Sequence, residues 1–147
     1  MTTQDLFAHN RVIFTHFDSY SAALLFPRWE KSLLWPAPLP DGATPIQSPA
    51  IIKPEFSGQV VKQALVERLG LNPDELETVG DFKHWAQTHA GPVRIHLLRF
   101  TTLDAPKAAI TALGGEFKPI SLLRGSAMSE LLLLREVFNL IVGSGGG

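Results

Sequence analysis

Residues 57–71, SGQVVKQALVERLGL, restrict this chain more than any other stretch. Val61, Leu65 and Leu69 recur every four residues, with Val60 and Ala64 beside them, and this spacing lays one apolar stripe along a helix. Ser57 offers a side-chain oxygen to the free amides of a helix start, and Gly70 suits the left-handed residue that ends one. Lys62, Gln63, Glu67 and Arg68 fall off the stripe, Arg68 close to its edge. The stretch predicts one amphipathic helix that packs along one side and presents its polar side to whatever the protein binds.

Strand signals flank that helix. Segments 11–17 and 21–26 are rich in β-formers, with Asp18-Ser19 as a turn and Pro27 as the stop of the second. Leu33-Leu34-Trp35 follows the charged turn Arg28-Trp29-Glu30-Lys31. Residues 36–54 hold six of the eleven prolines, so they read as a stiff extended loop, long enough to serve as a binding loop, insertion or subunit arm, with Ile51-Ile52 as a short strand inside it. Beyond the helix, 76–88 and 92–102 read as two strands of a hairpin through His89-Ala90-Gly91. A short helix over 105–113 stops at Gly114-Gly115, a strand covers 116–122, and a last helix covers 126–142 with Ser126 as its cap. Leu131, Leu134, Phe138 and Ile141 are its expected core stripe, residues 1–10 are a poorly ordered lead-in, and 143–147 are a flexible Gly-rich tail. The element order is that of a single mixed α/β (α+β) domain over 1–142, a sandwich rather than a run of regular βαβ units.

Bulk chemistry excludes several functions. A formal net charge of −1, with no run of like charges, gives no field to steer nucleic acid or an acidic membrane. The absence of cysteine removes thiol nucleophiles, zinc–thiolate sites and disulfides. The first residues lack the charged leader and long apolar run of a secretory signal, and no apolar stretch approaches the ~20 residues of a membrane span. A cytoplasmic protein with neither nucleic-acid nor membrane partners is the expectation.

Three phrases resemble the Nudix hydrolase superfamily. Residues 22–42, AALLFPRWEKSLLWPAPLPDG, look like that family's strand, charged turn and the leucine-tryptophan then proline-glycine-glycine that precede its signature box. Residues 63–71, QALVERLGL, look like the tail of the box, arginine-glutamate-apolar-any-glutamate-glutamate-any-glycine-apolar. Residues 116–122 with the leucine-rich helix look like its closing strand and C-terminal helix. The resemblance implies a Nudix-like α/β/α sandwich with a mixed sheet, and a box that would hold Mg²⁺ or Mn²⁺ for hydrolysis of a nucleoside diphosphate linkage. This chain departs from the box: Gln63 replaces the arginine, Ala64 the first glutamate and Arg68 the last, leaving Glu67 alone. Hard dications need several carboxylate oxygens converging from one helix face, and a guanidinium beside the remaining one repels them.

The expectation is therefore a catalytically degenerate Nudix-like domain, without a metal or other cofactor, acting as a ligand-binding or protein-interaction module. Its pocket would lie by Trp35, Glu67, Arg68, Arg94 and the proline-rich loop and take a small nucleotide-like ligand. Arg94 or Arg99 would reach a phosphate placed at the amides of the central helix's start, which Lys53, Glu55 and Ser57 precede. One alternative is a Mg²⁺- or Mn²⁺-dependent hydrolase that combines Glu67, the weak catalytic candidate, with Glu55 or Asp41. Another is a homo-oligomer, such as a homodimer joined through the 126–142 helix and the proline-rich arm. Two further constellations stand beside plainer readings. His84, His89 and His96 with Asp81 or Asp104 form a metal site or, more simply, strand-face residues; Trp29, Trp35 and Trp85 form an aromatic platform or core packing.

Overall fold

Two long strands, β1 (Asn10–Asp18) and β6 (Gly91–Phe100), pair in parallel from Asn10↔Arg94 to His16↔Phe100 at the centre of a seven-stranded sheet. The computed structural model describes residues 6–143. Side chains alternate across β1 and β6, and each face carries its own core, as a parallel pair buried on both sides requires. Val12, Phe14, Leu98 and Phe100 face one cluster, whereas Ile13, Ile95 and Leu97 face the other.

β2 (Ala23–Arg28) runs antiparallel to β1, and β7 (Glu116–Pro119) antiparallel to β2. On the other edge of β6 lie β4 (Leu76–Thr78) and β5 (His84–Thr88), with β3 (Thr44–Ile46) outside β5. Helix α1 (Gly58–Leu69) places Val61 and Leu65 on the first cluster, and Ile110 of α2 (Lys107–Ala112) joins them. Helix α3 (Met128–Phe138) covers the opposite face with Leu133, Leu134 and Val137. The result is an α/β/α sandwich with a mixed sheet. No helix among the described residues is long and apolar enough to cross a membrane.

The 57–71 helix forms as expected, ending on Gly70 at φ 68°, although Ser57 makes no side-chain cap bond and Val60 is exposed. Four expectations need correction. The 76–88 segment is two strands, because Val79-Gly80-Asp81-Phe82 turns, with Phe82 N–H donating to Val79 C=O, and drives Phe82 into the α3-side core. The strand inside the proline-rich loop is Thr44–Ile46 rather than Ile51-Ile52, and Ile51 is 83% exposed; Pro45 fits an edge strand whose amide is not needed. Pro27 lies within β2, past the last residue paired to β1, instead of ending the strand. Leu6 and Phe7, read as lead-in, are buried under α1, whereas residues 1–5 and 144–147 of the two terminal expectations lie outside the described residues.

Of the stripe expected on the last helix, Leu134 is buried and Leu131 and Ile141 pack partly buried against the same core, but Phe138 does not join them. Glu130, Leu133, Leu134 and Val137 face inward, Phe138 is exposed, and Ser126 is not its cap. Glu130 anchors the inward face. Its two carboxylate oxygens accept from the Ser32 hydroxyl at 2.7 Å and the Leu33 amide at 2.9 Å, beside the tight Trp29–Ser32 turn. That buried carboxylate ties α3 to the chain leaving β2. Glu130→Ala leaves two buried donors without partners and is expected to cost about 3 kcal/mol in urea unfolding. A loss below about 1 kcal/mol would show that packing alone sets the helix register.

Candidate functional site

The structure separates the residues that the sequence grouped. Trp35 is buried edge-on against Phe7, with ring centroids 4.9 Å apart, and the Arg68 guanidinium lies 5.1 Å from the Trp35 ring. Glu67, exposed on the same turn of α1, accepts from Gln63 Nε2 at 2.9 Å. Arg94 stands at the other end of the helix, donating through Nη1 to Phe56 C=O at 2.7 Å and lying 5.7 Å from the Trp85 ring. Gly58 and Arg68 are ten residues apart in helical conformation, so the two ends are separated by about 15 Å. Trp35, Glu67 and Arg68 are neighbours, and Arg94 is not among them.

That separation also keeps Glu55 from sharing a metal ion with Glu67. Glu55 precedes α1, so it and Glu67 lie a helix length apart, whereas one dication holds its oxygens within about 2.0–2.6 Å. Among the described residues no group of three or more His, Asp or Glu could hold a metal ion. Mg²⁺ or Mn²⁺ does not fit the donor set around Glu67. His84, His89 and His96 are likewise dispersed: His84 faces α3 with its ring 4.5 Å from Phe82, His89 is in the exposed hairpin turn, and His96 is buried on the α1 side. The three tryptophans form no shared platform; Trp29 packs on Phe14, and Trp85 on Phe56. Arg99 is paired with Glu77 at 3.1 Å.

A mainly apolar hollow lies on the face away from Glu67. It measures about 580 Å³ and opens between the proline-rich loop, the β3–β5 edge and α3. Pro45, Ala86 and Ile95 form its floor, and Leu39, Leu132 and Leu133 its walls. His84 and Glu136 face the same space: burial pushes the imidazole's pKa down, and the Glu136 carboxylate partly offsets that. A cleft of this volume, apolar with a few polar groups converging on it, is the usual form of a small-molecule site. Sequence reading passed over Glu136 and Leu132 because they were assigned only to a greasy helix. The available signal was Glu136 in the last turn of that helix.

A second polar cluster lies under the start of α1. Asn10, wholly buried, donates through Nδ2 to Leu6 C=O and Glu55 C=O, each at 2.9 Å. Its Oδ1 must then be the acceptor for His96 Nε2 at 2.7 Å, so His96 carries its proton on Nε2 and leaves Nδ1 as a bare acceptor. Burial, and secondly the charge of Arg94, lowers the His96 pKa to about 3. The unfolded chain therefore binds a proton near pH 6.5 that the folded chain refuses. The stability contributed by neutral His96 is complete above that pH and is lost at about 1.4 kcal/mol per unit as pH falls toward 3. The unfolding free energy of wild type minus that of His96→Gln should shrink with this slope; a difference independent of pH would show that His96 is not held neutral. Comparison of the chain with protein-family models and with curated proteins finds no match.

Proposed function

We propose that this chain is a cytosolic, non-catalytic ligand-binding module of Nudix-like architecture, and that its ligand occupies the cleft between α3 and the β3–β5 edge. The observation that carries the reading is the 580 Å³ cleft itself, with an apolar floor and the His84–Glu136 pair on one side. The chemistry fits a small molecule with a flat apolar body and one hydrogen-bonding group. The Nudix-like part rests on the sequence phrases and on helices covering both faces of a mixed sheet. The hydrolase alternative finds no support at Glu67, whose carboxylate accepts from Gln63 and lies next to a guanidinium.

One observation favours a second reading. Met128, Leu132 and Phe138 are exposed along α3, which suits self-association of two copies through that helix. Met128 and Phe138 lie outside the cleft lining, so Met128→Glu/Phe138→Glu separates the two readings by sedimentation.

The test of the first reading is an amide-resolved NMR titration with ring-containing fragments. Binding should shift the amides of His84, Ala86 and Leu132, and Leu132→Glu at the 53%-exposed rim should weaken it at least about tenfold without unfolding the helix. Adding Mg²⁺ or Mn²⁺ with a nucleoside diphosphate should produce no cooperative thermal shift. A shift that requires metal and nucleotide together, lost in Glu67→Gln, would overturn the proposal in favour of the hydrolase.

A further inference from the structure

The start of α1 opens on a separate cavity of about 200 Å³, and its lining is polar in a specific way. Gly58, Gln59 and Val60 are the first helical residues, whose amides have no partner inside a helix. Ser57 supplies no side-chain cap, and the first turn carries no acidic residue. The break between β4 and β5 leaves this end of the helix facing Thr78 and His96 instead of a continuous strand.

One buried polar atom of the lining, Arg94 Nε, lacks a partner, and one ring nitrogen, His96 Nδ1, is left free by the bond at Nε2. Arg94 Nε has no hydrogen bond, although Nη1 is held by Phe56 C=O and the guanidinium is steadied over Trp85. His96 is 5% exposed, its Nε2 is committed to Asn10, and its Nδ1 faces Gly58: a Cβ built there would lie 3.9 Å from it. The cavity thus offers donors from the helix start and Arg94, and one acceptor from an imidazole held neutral. An oxyanion without a proton would press an oxygen lone pair against Nδ1. An oxyanion with one O–H satisfies both kinds of group.

We propose that this cavity is a subsite for a phosphate group carrying one proton, either hydrogen phosphate or the monoanion of a phosphate monoester. The first-turn amides of α1 and Arg94 hold its oxygens, and its O–H is donated to His96 Nδ1. The site is distinct from the α3 cleft and stands whether or not that cleft binds a ligand. The groups around His96 fix the expected pH response. β6 contributes Arg94, which acts on it as a positive charge, whereas Asn10 of β1, Gly58 and Gln59 of α1 and Thr78 of β4 are uncharged. Asp81 lines a different hollow with Glu77 and Arg99.

The experiment titrates the full chain with inorganic phosphate, glycerol 3-phosphate and sulfate, followed by calorimetry and by the Gly58 and Gln59 amide signals. Both phosphates should move these signals. The affinity of glycerol 3-phosphate should fall about tenfold per pH unit above its second ionisation at about pH 6, where it loses its last O–H. Inorganic phosphate keeps one O–H through its own second ionisation and should keep binding. Sulfate, which carries no proton at these pH values, should bind at least about tenfold more weakly. Tighter binding of the monoester would identify a phosphorylated small molecule as the source, and tighter binding of inorganic phosphate the free anion.

Gly58→Ala keeps the fold test separate from the binding test. Its Cβ would rest 3.7 Å from Thr78 Cγ2 and 3.9 Å from His96 Nδ1, ordinary contacts that leave the helix intact while occupying the space before Nδ1. It should retain the wild-type Tm and lose at least about tenfold in phosphate affinity. Equal binding of sulfate and phosphate, a glycerol 3-phosphate affinity that does not fall above its second ionisation, unmoved Gly58 and Gln59 signals, or a Gly58→Ala variant that binds like wild type would each overturn the proposal.

Discussion

The parallel contact between β1 and β6 sets the terms for the rest of the molecule. A strand pair buried on both faces can carry polar side chains only where the surrounding chain supplies partners. Arg11 donates through Nη1 to Phe7 C=O at 2.6 Å and through Nε to Ala37 C=O at 2.9 Å, which fastens the first residues of the proline-rich loop to the sheet. Thr15 donates to Leu25 C=O, and His16 Nε2 meets Thr102 C=O at 2.8 Å. Asn10 closes the series by joining Leu6, Glu55 and His96. The buried polar groups of β1 therefore position four loops, and much of the chain outside the sheet is held through them.

Both cavities arise where the covering of that sheet lapses. Helix α3 lies over β1, β2 and β6 and leaves the β3–β5 edge partly open, which produces the cleft. The turn at Val79–Phe82 interrupts the outer neighbour of β6 and leaves His96 facing a helix start rather than a strand. The two sites differ in chemistry because they lie on opposite faces. The α3 side is apolar with one imidazole–carboxylate pair, and the α1 side is a cluster of donors around one acceptor. Neither uses Glu67, which lies exposed at the far end of α1.

The interactions of Arg68 and Trp35 show how the same residues can read as function and act as structure. The sequence places both near the supposed pocket, and they do meet, but as a cation over an aromatic face that closes the α1-side core. The sequence groups Arg94 with them and also has it reach an anion at the start of the central helix. Pairing along β6 puts it opposite Trp85 and beside the start of α1, where the sequence had separately allowed for an anion near that helix end. The histidines divide in the same manner, since neighbouring positions on a strand point to opposite faces.

Local pattern was enough to specify the central helix with its glycine stop, the hairpin at His89-Ala90, the tight turn after Trp29, and a mixed α/β class. Those features depend on residues close in the chain, where periodicity and turn chemistry act directly. The face of α3 that turns inward depended on Glu130 meeting Ser32 and Leu33, nearly a hundred residues earlier. The tautomer of His96 depended on Asn10, the strand of the proline-rich loop on the free edge of β5, and the separation of Glu55 from Glu67 on the length of one helix. Contacts between distant segments decide such matters, and a single sequence records which side chains are present but not which of them the fold brings face to face.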